Sequence, residues 1–310
     1  MSVDLLDEQK ITPQSARLTG AEGNRLAASV YGSRETNQHP AILMMHGGGQ
    51  TRHSWDGAAR QLAARGNVAI TVDARGHGDS AWVESKKYRF VDYCEDLRAI
   101  APQVANQFSA DERPPVVVGA SLGGLSAMLT QVPNTPSNAP ELFSAIVLVD
   151  ITPRMQASGV DKIMGFMAKD MRRGFGEINE AADAIAAYLP NRARPRSLEG
   201  LTKNLRQQDD GRWYWHWDPA FVDGPKNIMT GGSTDREDLL EAVSHITVPT
   251  LLVRGGKSEL VTEEAAAEFL EHVPHAKFVD VTDAGHMVAG DRNDVFAGAV
   301  IDFLTGQGLA

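Results

Sequence analysis

The chain has 310 residues, 42% of them hydrophobic, which suits one large α/β domain with an insertion or two modest domains. A formal net charge of −10 argues against a nucleic-acid binder, which needs a basic face. Cys94 is the only cysteine, so no disulfide can form within the chain and an oxidising compartment is not required.

The segment Met1-Ser2-Val3-Asp4-Leu5-Leu6-Asp7-Glu8 is acidic and lacks the basic-then-apolar layout of a signal peptide. No apolar stretch approaches the length of a membrane span, so a cytoplasmic protein is expected. Ile11 to Thr19 and Arg25 to Tyr31 read as two strands joined by the turn-rich Gly20-Ala21-Glu22-Gly23-Asn24, an antiparallel pair opening a sheet. Pro40 to Met45 is a third strand, buried, and runs directly into His46-Gly47-Gly48-Gly49. Glycines directly after a strand let backbone amides approach a ligand. Trp55 to Arg65 has a helical pattern, and Val68 to Val72 is the next strand. It ends in the polar loop Asp73-Ala74-Arg75-Gly76-His77-Gly78-Asp79-Ser80, where Asp73 and Arg75 are expected to pin the loop by hydrogen bonds.

Tyr88 to Asn106 carries apolar residues at helical spacing and leads to Val116-Val117-Val118-Gly119-Ala120-Ser121-Leu122-Gly123-Gly124. Three β-branched residues make a buried strand, Leu125 to Leu129 a helix, and Gly-x-Ser-x-Gly lies between them. That context is what a nucleophile elbow requires. A sharp turn projects the Ser121 hydroxyl and leaves the Leu122 N–H at a helix start to meet a developing oxyanion. Ser144 to Asp150 is another buried strand, so strands and helices alternate as βαβ units with a parallel sheet.

From Pro153 to about Glu237 the rhythm changes: Met155, Met164, Met167 and Met171, then a helical segment from Glu177 to Leu189, a Pro/Arg-rich link from Pro190 to Arg196, and Trp213-Tyr214-Trp215-His216-Trp217. The stretch 153–236 reads as a mostly helical cap over a core made of 1–152 and 237–310. Alternation would place Trp213, Trp215 and Trp217 on one face, walling an apolar pocket above Ser121. Pro249 to Arg254 restores the βα rhythm, followed by a helix capped by Thr262, a last strand from Ala276 to Val281, the loop Asp283-Ala284-Gly285-His286 and a closing helix from Val295 to Leu304.

Sites in parallel sheets form at the carboxyl ends of strands. His245, His272 and His275 fall at the opposite edge, whereas His46, His77 and His286 follow strands. Only His286 gives the order serine, acid, histidine expected of an elbow serine in mid-chain. Glu259 is the favoured acid, after the strand ending at Arg254; Asp150, at the end of its own strand, is the alternative. HExxH, paired cysteines and a phosphate-binding glycine loop are all missing from the sequence, so no metal and no cofactor are expected.

In His46-Gly47-Gly48-Gly49, Asp73 to Ser80, Gly119 to Gly124 and Gly285-His286 the chain resembles the α/β-hydrolase superfamily, from about residue 25 onward. The resemblance implies a mostly parallel twisted sheet of about eight strands flanked by helices, with a cap between the sixth and seventh strands. It implies Ser121 as nucleophile, His286 as base, and the backbone N–H groups of Gly48 and Leu122 as the oxyanion hole. Many members carry an aspartate three residues after the glycine ending the seventh strand, where this chain has Ser258; Glu259 is one position further.

The expected activity is hydrolysis of a small carboxylic ester or lactone through an acyl-enzyme. Carbon–carbon, thioester and amide hydrolysis, perhydrolysis, a lyase using the same residues as acid and base, and a hydrolase-like ligand-binding protein are the alternatives. A small-molecule substrate is the expected partner, and the oligomeric state, monomer or homodimer, stays open.

Overall fold

The computed structural model describes residues 11–132, 141–190, 198–230, 234–288 and 293–310. The acidic segment Met1 to Glu8 lies outside them, as does the Pro/Arg-rich link from residue 191 to Arg196.

Eight strands form one sheet: β1 (Gln14–Thr19), β2 (Arg25–Tyr31), β3 (Ile42–Met45), β4 (Ala69–Val72), β5 (Val116–Ala120), β6 (Ala145–Val149), β9 (Thr250–Gly255) and β10 (Lys277–Val281). Their spatial order is β1-β2-β4-β3-β5-β6-β9-β10. The first two junctions are antiparallel and the rest parallel. Burial follows position. Strands β3, β4, β6 and β9 are buried at every residue, as their unbroken apolar runs require between two helical layers. The edge strands β1 and β10 carry exposed residues.

One face is covered by the helices Phe90–Phe108, Leu122–Leu129, Thr234–Ser244 and Glu263–His272, which contribute Leu97, Ile100, Leu125, Met128, Val243 and Phe269 to one core. The other face is covered by Asp56–Ala63 and Asn293–Gly306, packed through Leu62, Phe296, Val300 and Phe303. Thr262 caps its helix as the sequence indicates, its hydroxyl accepting from the Ala265 N–H at 3.2 Å.

Between β6 and β9 the chain leaves the sheet. It forms the helices Ala157–Lys169, Ile178–Tyr188, Glu199–Thr202 and Ala220–Asp223, and also a small antiparallel pair, β7 (Leu205–Gln207) with β8 (Trp213–Trp215). The sequence predicts a mostly helical stretch here, and the strand pair is an addition to it. Three-residue strands carry too little alternation to be seen against their surroundings. A third apolar cluster, including Leu122, Met167, Phe175, Trp215 and Phe221, joins this insert to the sheet's carboxyl edge.

The strand order also places the site. The chain steps from β3 outward to β4, then returns to the other side of β3 for β5. The crevice outside the carboxyl ends of β3 and β5 is therefore a topological switch point. The Gly47–Gly49 loop and Ser121 both open there.

Candidate active site

Ser121 stands between β5 and the helix Leu122–Leu129 with φ 46° and ψ −113°, a conformation that L-residues rarely adopt. Close packing makes the turn this sharp: a Cβ on Gly123 would sit 2.5 Å from the Met45 carbonyl oxygen. The Leu122 N–H heads the helix and has no intrahelical partner to meet. Of the three glycines after β3, Gly49 commits its N–H to His77 Nε2 at 3.1 Å. Gly48 lines the same cavity as Ser121.

His286 lies with Ser121 on the wall of one cavity. Its loop folds back across the end of β9, and only a glycine fits beneath it: a Cβ on Gly255 would collide with the Gly285 carbonyl oxygen. The Lys257 N–H bonds the Ala284 carbonyl at 2.9 Å and fixes the same crossing.

The carboxylate that meets this histidine is Asp150, not Glu259. His286 Nδ1 is 2.7 Å from Asp150 Oδ2, in donating position. Asp150 is wholly buried and also accepts from the Gly255 N–H (2.9 Å) and the Ser258 hydroxyl (2.5 Å). Like Ser121 it has a positive φ, 50°. With Nδ1–H held by the carboxylate, His286 Nε2 is left as a proton acceptor. Glu259 turns the other way. Its backbone packs against Gly159, and its side chain, 63% exposed, pairs with Lys162 at 2.5 Å.

Two of the three tryptophans expected at the pocket are there. Trp215 and Trp217 line the cavity with rings stacked 5.0 Å apart at 9°. Trp213 does not: it bridges to Phe175 on the far side of the small sheet. Trp213 is left out although it shares β8 with Trp215, whereas Trp217, beyond the strand's end, stacks on Trp215 inside the cavity.

A histidine network behind the glycine loop was not legible in the sequence. His46 Nε2 accepts the Ala74 N–H at 3.0 Å, and His216 Nδ1 accepts the Gly78 N–H at 2.6 Å. With His77 on Gly49, these three rings fasten the loops after β3 and β4 to each other and to the insert. Ring centroids are 5.3 Å (His46–His77) and 6.2 Å (His77–His216) apart. The Asp73–Ser80 loop is pinned as expected. The Asp73 carboxylate accepts from the Arg52 and Asp79 N–H groups, and Arg75 forms a buried two-point pair with Asp96 at 2.6 Å.

Burial pushes His46 down to about 4 and, with its neighbour His46 adding to the effect, His77 down to about 3. Burial also drives His216 well below the usual range. Each accepts a backbone N–H, so protonation would set donor against donor. The unfolded chain takes up these protons near 6.5, the folded chain only at the lowered values. Stability from this network is therefore complete above about pH 6.5 and is lost as pH falls toward 4 and 3. Arg52, Asp73, Arg206 and Asp218 surround the rings and set the background. Urea melts between pH 7.5 and 4.5 should show this fall, and His77→Gln, which keeps an acceptor but does not titrate, should flatten it. An unchanged slope in the variant would remove His77 from the account.

Among the described residues no cluster of three or more His, Cys, Asp or Glu is arranged to hold a metal ion, and no helix is long and apolar enough to cross a membrane.

A mostly parallel eight-stranded sheet, with a serine elbow at its switch point and a His–Asp pair on the neighbouring strand ends, defines an α/β-hydrolase architecture. The model of the alpha/beta hydrolase family matches residues 42–299. An esterase of Mycobacterium tuberculosis is 30% identical over 93% of this chain and 92% of its own, and its solved structure superposes with a TM-score of 0.68. The sn-1-specific diacylglycerol lipase of Mus musculus is 29% identical over 86% of this chain and 81% of its own. An alpha/beta hydrolase from Novosphingobium aromaticivorans, 23% identical, shares the fold at a TM-score of 0.76 over 94% of this chain and 98% of that one. The chain belongs to the alpha/beta hydrolase family.

Proposed function

We propose that this protein is a serine hydrolase that cleaves a small carboxylic ester or lactone through an acyl-enzyme intermediate. The observation that carries the reading is the 2.7 Å bond from His286 to buried Asp150, on a cavity that also holds the strained Ser121. The family relatives named as an esterase and a diacylglycerol lipase support ester bonds as the target.

Ser121 Oγ attacks the ester carbonyl carbon while His286 Nε2 takes its proton. The carbonyl oxygen becomes an oxyanion and accepts hydrogen bonds from the N–H groups of Gly48 and Leu122. His286 then protonates the departing alcohol, leaving an acyl group on Ser121. Water, deprotonated by the same imidazole, releases the acid. Asp150 stays ionised throughout, holding the tautomer and stabilising imidazolium. The insert 153–236 acts as the cap that closes this chamber from solvent, over a core formed by 1–152 and 237–310.

A fluorophosphonate probe tests the reading directly. Wild-type protein should gain one covalent adduct, mapped by mass spectrometry to the peptide bearing Ser121, and Ser121→Ala should gain none. A protein that binds small ligands but never labels would be a receptor built on a hydrolase frame.

A further inference from the structure

The cavity above Ser121 has a mostly apolar lining. Its polar side chains include Gln50, Ser54 and Asn204, with Gln50 reaching Met287, the neighbour of His286. Most of the remaining wall is apolar and includes Met155, Met164, Phe166, Met167, Ile185 and Leu260. Among the described residues no aspartate, glutamate, lysine or arginine lines it. The charges nearby are already engaged: Lys162 with Glu259 behind the Tyr188 ring, and Arg52 with Asp73 and Asp79.

From this the geometry points to a substrate class: a neutral ester carrying a medium-length aliphatic chain, with a carboxylate on that chain refused. The inference rests on the hydrolase reading above and specifies what that site accepts. A carboxylate entering this cavity would shed its hydration and meet no cation, a cost that buried charge does not recover without a partner. A methylene chain there gains on every group buried. Methionines suit it, since unbranched thioethers re-pack around chains of differing bend.

Size sets the length. An apolar cavity of about 150 Å³ accommodates benzene, so the cavity of about 260 Å³ holds roughly ten non-hydrogen atoms. That corresponds to an ester group with a chain of about eight carbons. The chain belongs either to the acyl or to the alcohol part of the ester, and the two are separable by substrate choice.

The experiment measures kcat/KM of the full-length protein on p-nitrophenyl acetate, pentanoate, octanoate and palmitate. Mono-p-nitrophenyl succinate serves as the charged counterpart of pentanoate, and ethyl and octyl acetate carry the chain on the alcohol side. The eight-carbon chain should raise kcat/KM on the order of 10²-fold over the two-carbon one, in the acyl or the alcohol series. Succinate should fall at least about 10²-fold below pentanoate. Palmitate should fall below octanoate. Ile185→Trp, which fills the chamber, should move the optimum to shorter chains, and Met164→Ala should move it to longer ones. Thermal melts identify any variant that has lost its fold, and the opposite directions of shift keep the test intact if one of them has.

Ser121-dependent turnover with no gain from chain length in either series would overturn the inference while leaving the hydrolase standing. Succinate cleaved as well as pentanoate, or palmitate cleaved better than octanoate, would do the same. Absence of Ser121-dependent turnover on every ester, together with absence of probe labelling, would overturn the hydrolase reading and this inference with it.

Discussion

Ser121→Ala and His286→Ala should each lower kcat by a factor on the order of 10⁶, and the double variant should be no worse than either alone. The serine's proton has to leave as its oxygen attacks, so removing either group halts the same step. Both proteins should remain folded. His286 is a partly exposed loop residue, and without it Asp150 keeps two donors, the Gly255 N–H and the Ser258 hydroxyl. Ser121→Gly makes a sharper comparison. It should be as inactive as the alanine variant yet more stable, because glycine occupies φ 46° without the strain a Cβ brings. Ester hydrolysis read alongside thermal unfolding gives both quantities from one preparation. An active Ser121→Ala protein would sink the proposed mechanism.

The elbow and the histidine were legible because each is written locally. An apolar β-run, a Gly-x-Ser-x-Gly turn and a helix are contiguous in sequence, so Ser121 falls where the local code places it. His286 follows the last core strand, and strand ends share one edge in a parallel sheet. The acid is different in kind. Asp150 and Glu259 both follow strands, and nothing local says which carboxylate turns toward the imidazole. In the structure the His286 loop crosses over Gly255 and brings the imidazole to Asp150, while Glu259 pairs with Lys162 on the surface. Both contacts join segments far apart in sequence. Ser258 was the available clue: a hydroxyl where many members of the superfamily carry a carboxylate leaves room for an acid arriving from β6, and the structure has it donating to Asp150. The tryptophans follow the same logic. Trp213 and Trp215 share β8 yet only Trp215 reaches the cavity, where Trp217, beyond the strand, stacks on it, so two-residue spacing alone does not sort them. His46, His77 and His216 accept backbone N–H groups across three separate loops, which sequence spacing does not encode.

Exchanging one atom of the carboxylate separates the two acids. Asp150→Asn should cut kcat by roughly 10³ to 10⁴, less than loss of the serine or the histidine. The amide is the same size and shape, so no cavity opens. Its oxygen can still serve the Gly255 N–H, but its NH₂ group then faces both the Ser258 hydroxyl and His286 Nδ1. An NH₂ facing Nδ1 favours the tautomer that carries its proton on Nε2. That tautomer cannot accept the Ser121 proton, and the imidazolium formed on attack loses its counter-charge. Oxyanion donors and substrate binding are untouched, which is why residual turnover should stay measurable. Glu259→Gln should behave as a surface change. Its partner Lys162 is itself 42% exposed, and such exposed pairs contribute about 0 to 1 kcal/mol. Turnover of the same ester by both variants, with melting temperatures measured in parallel, decides the matter. A large kinetic loss in Glu259→Gln with Asp150→Asn near wild type would move the acid to the end of β9 and leave the buried bond to His286 a scaffold for the loop.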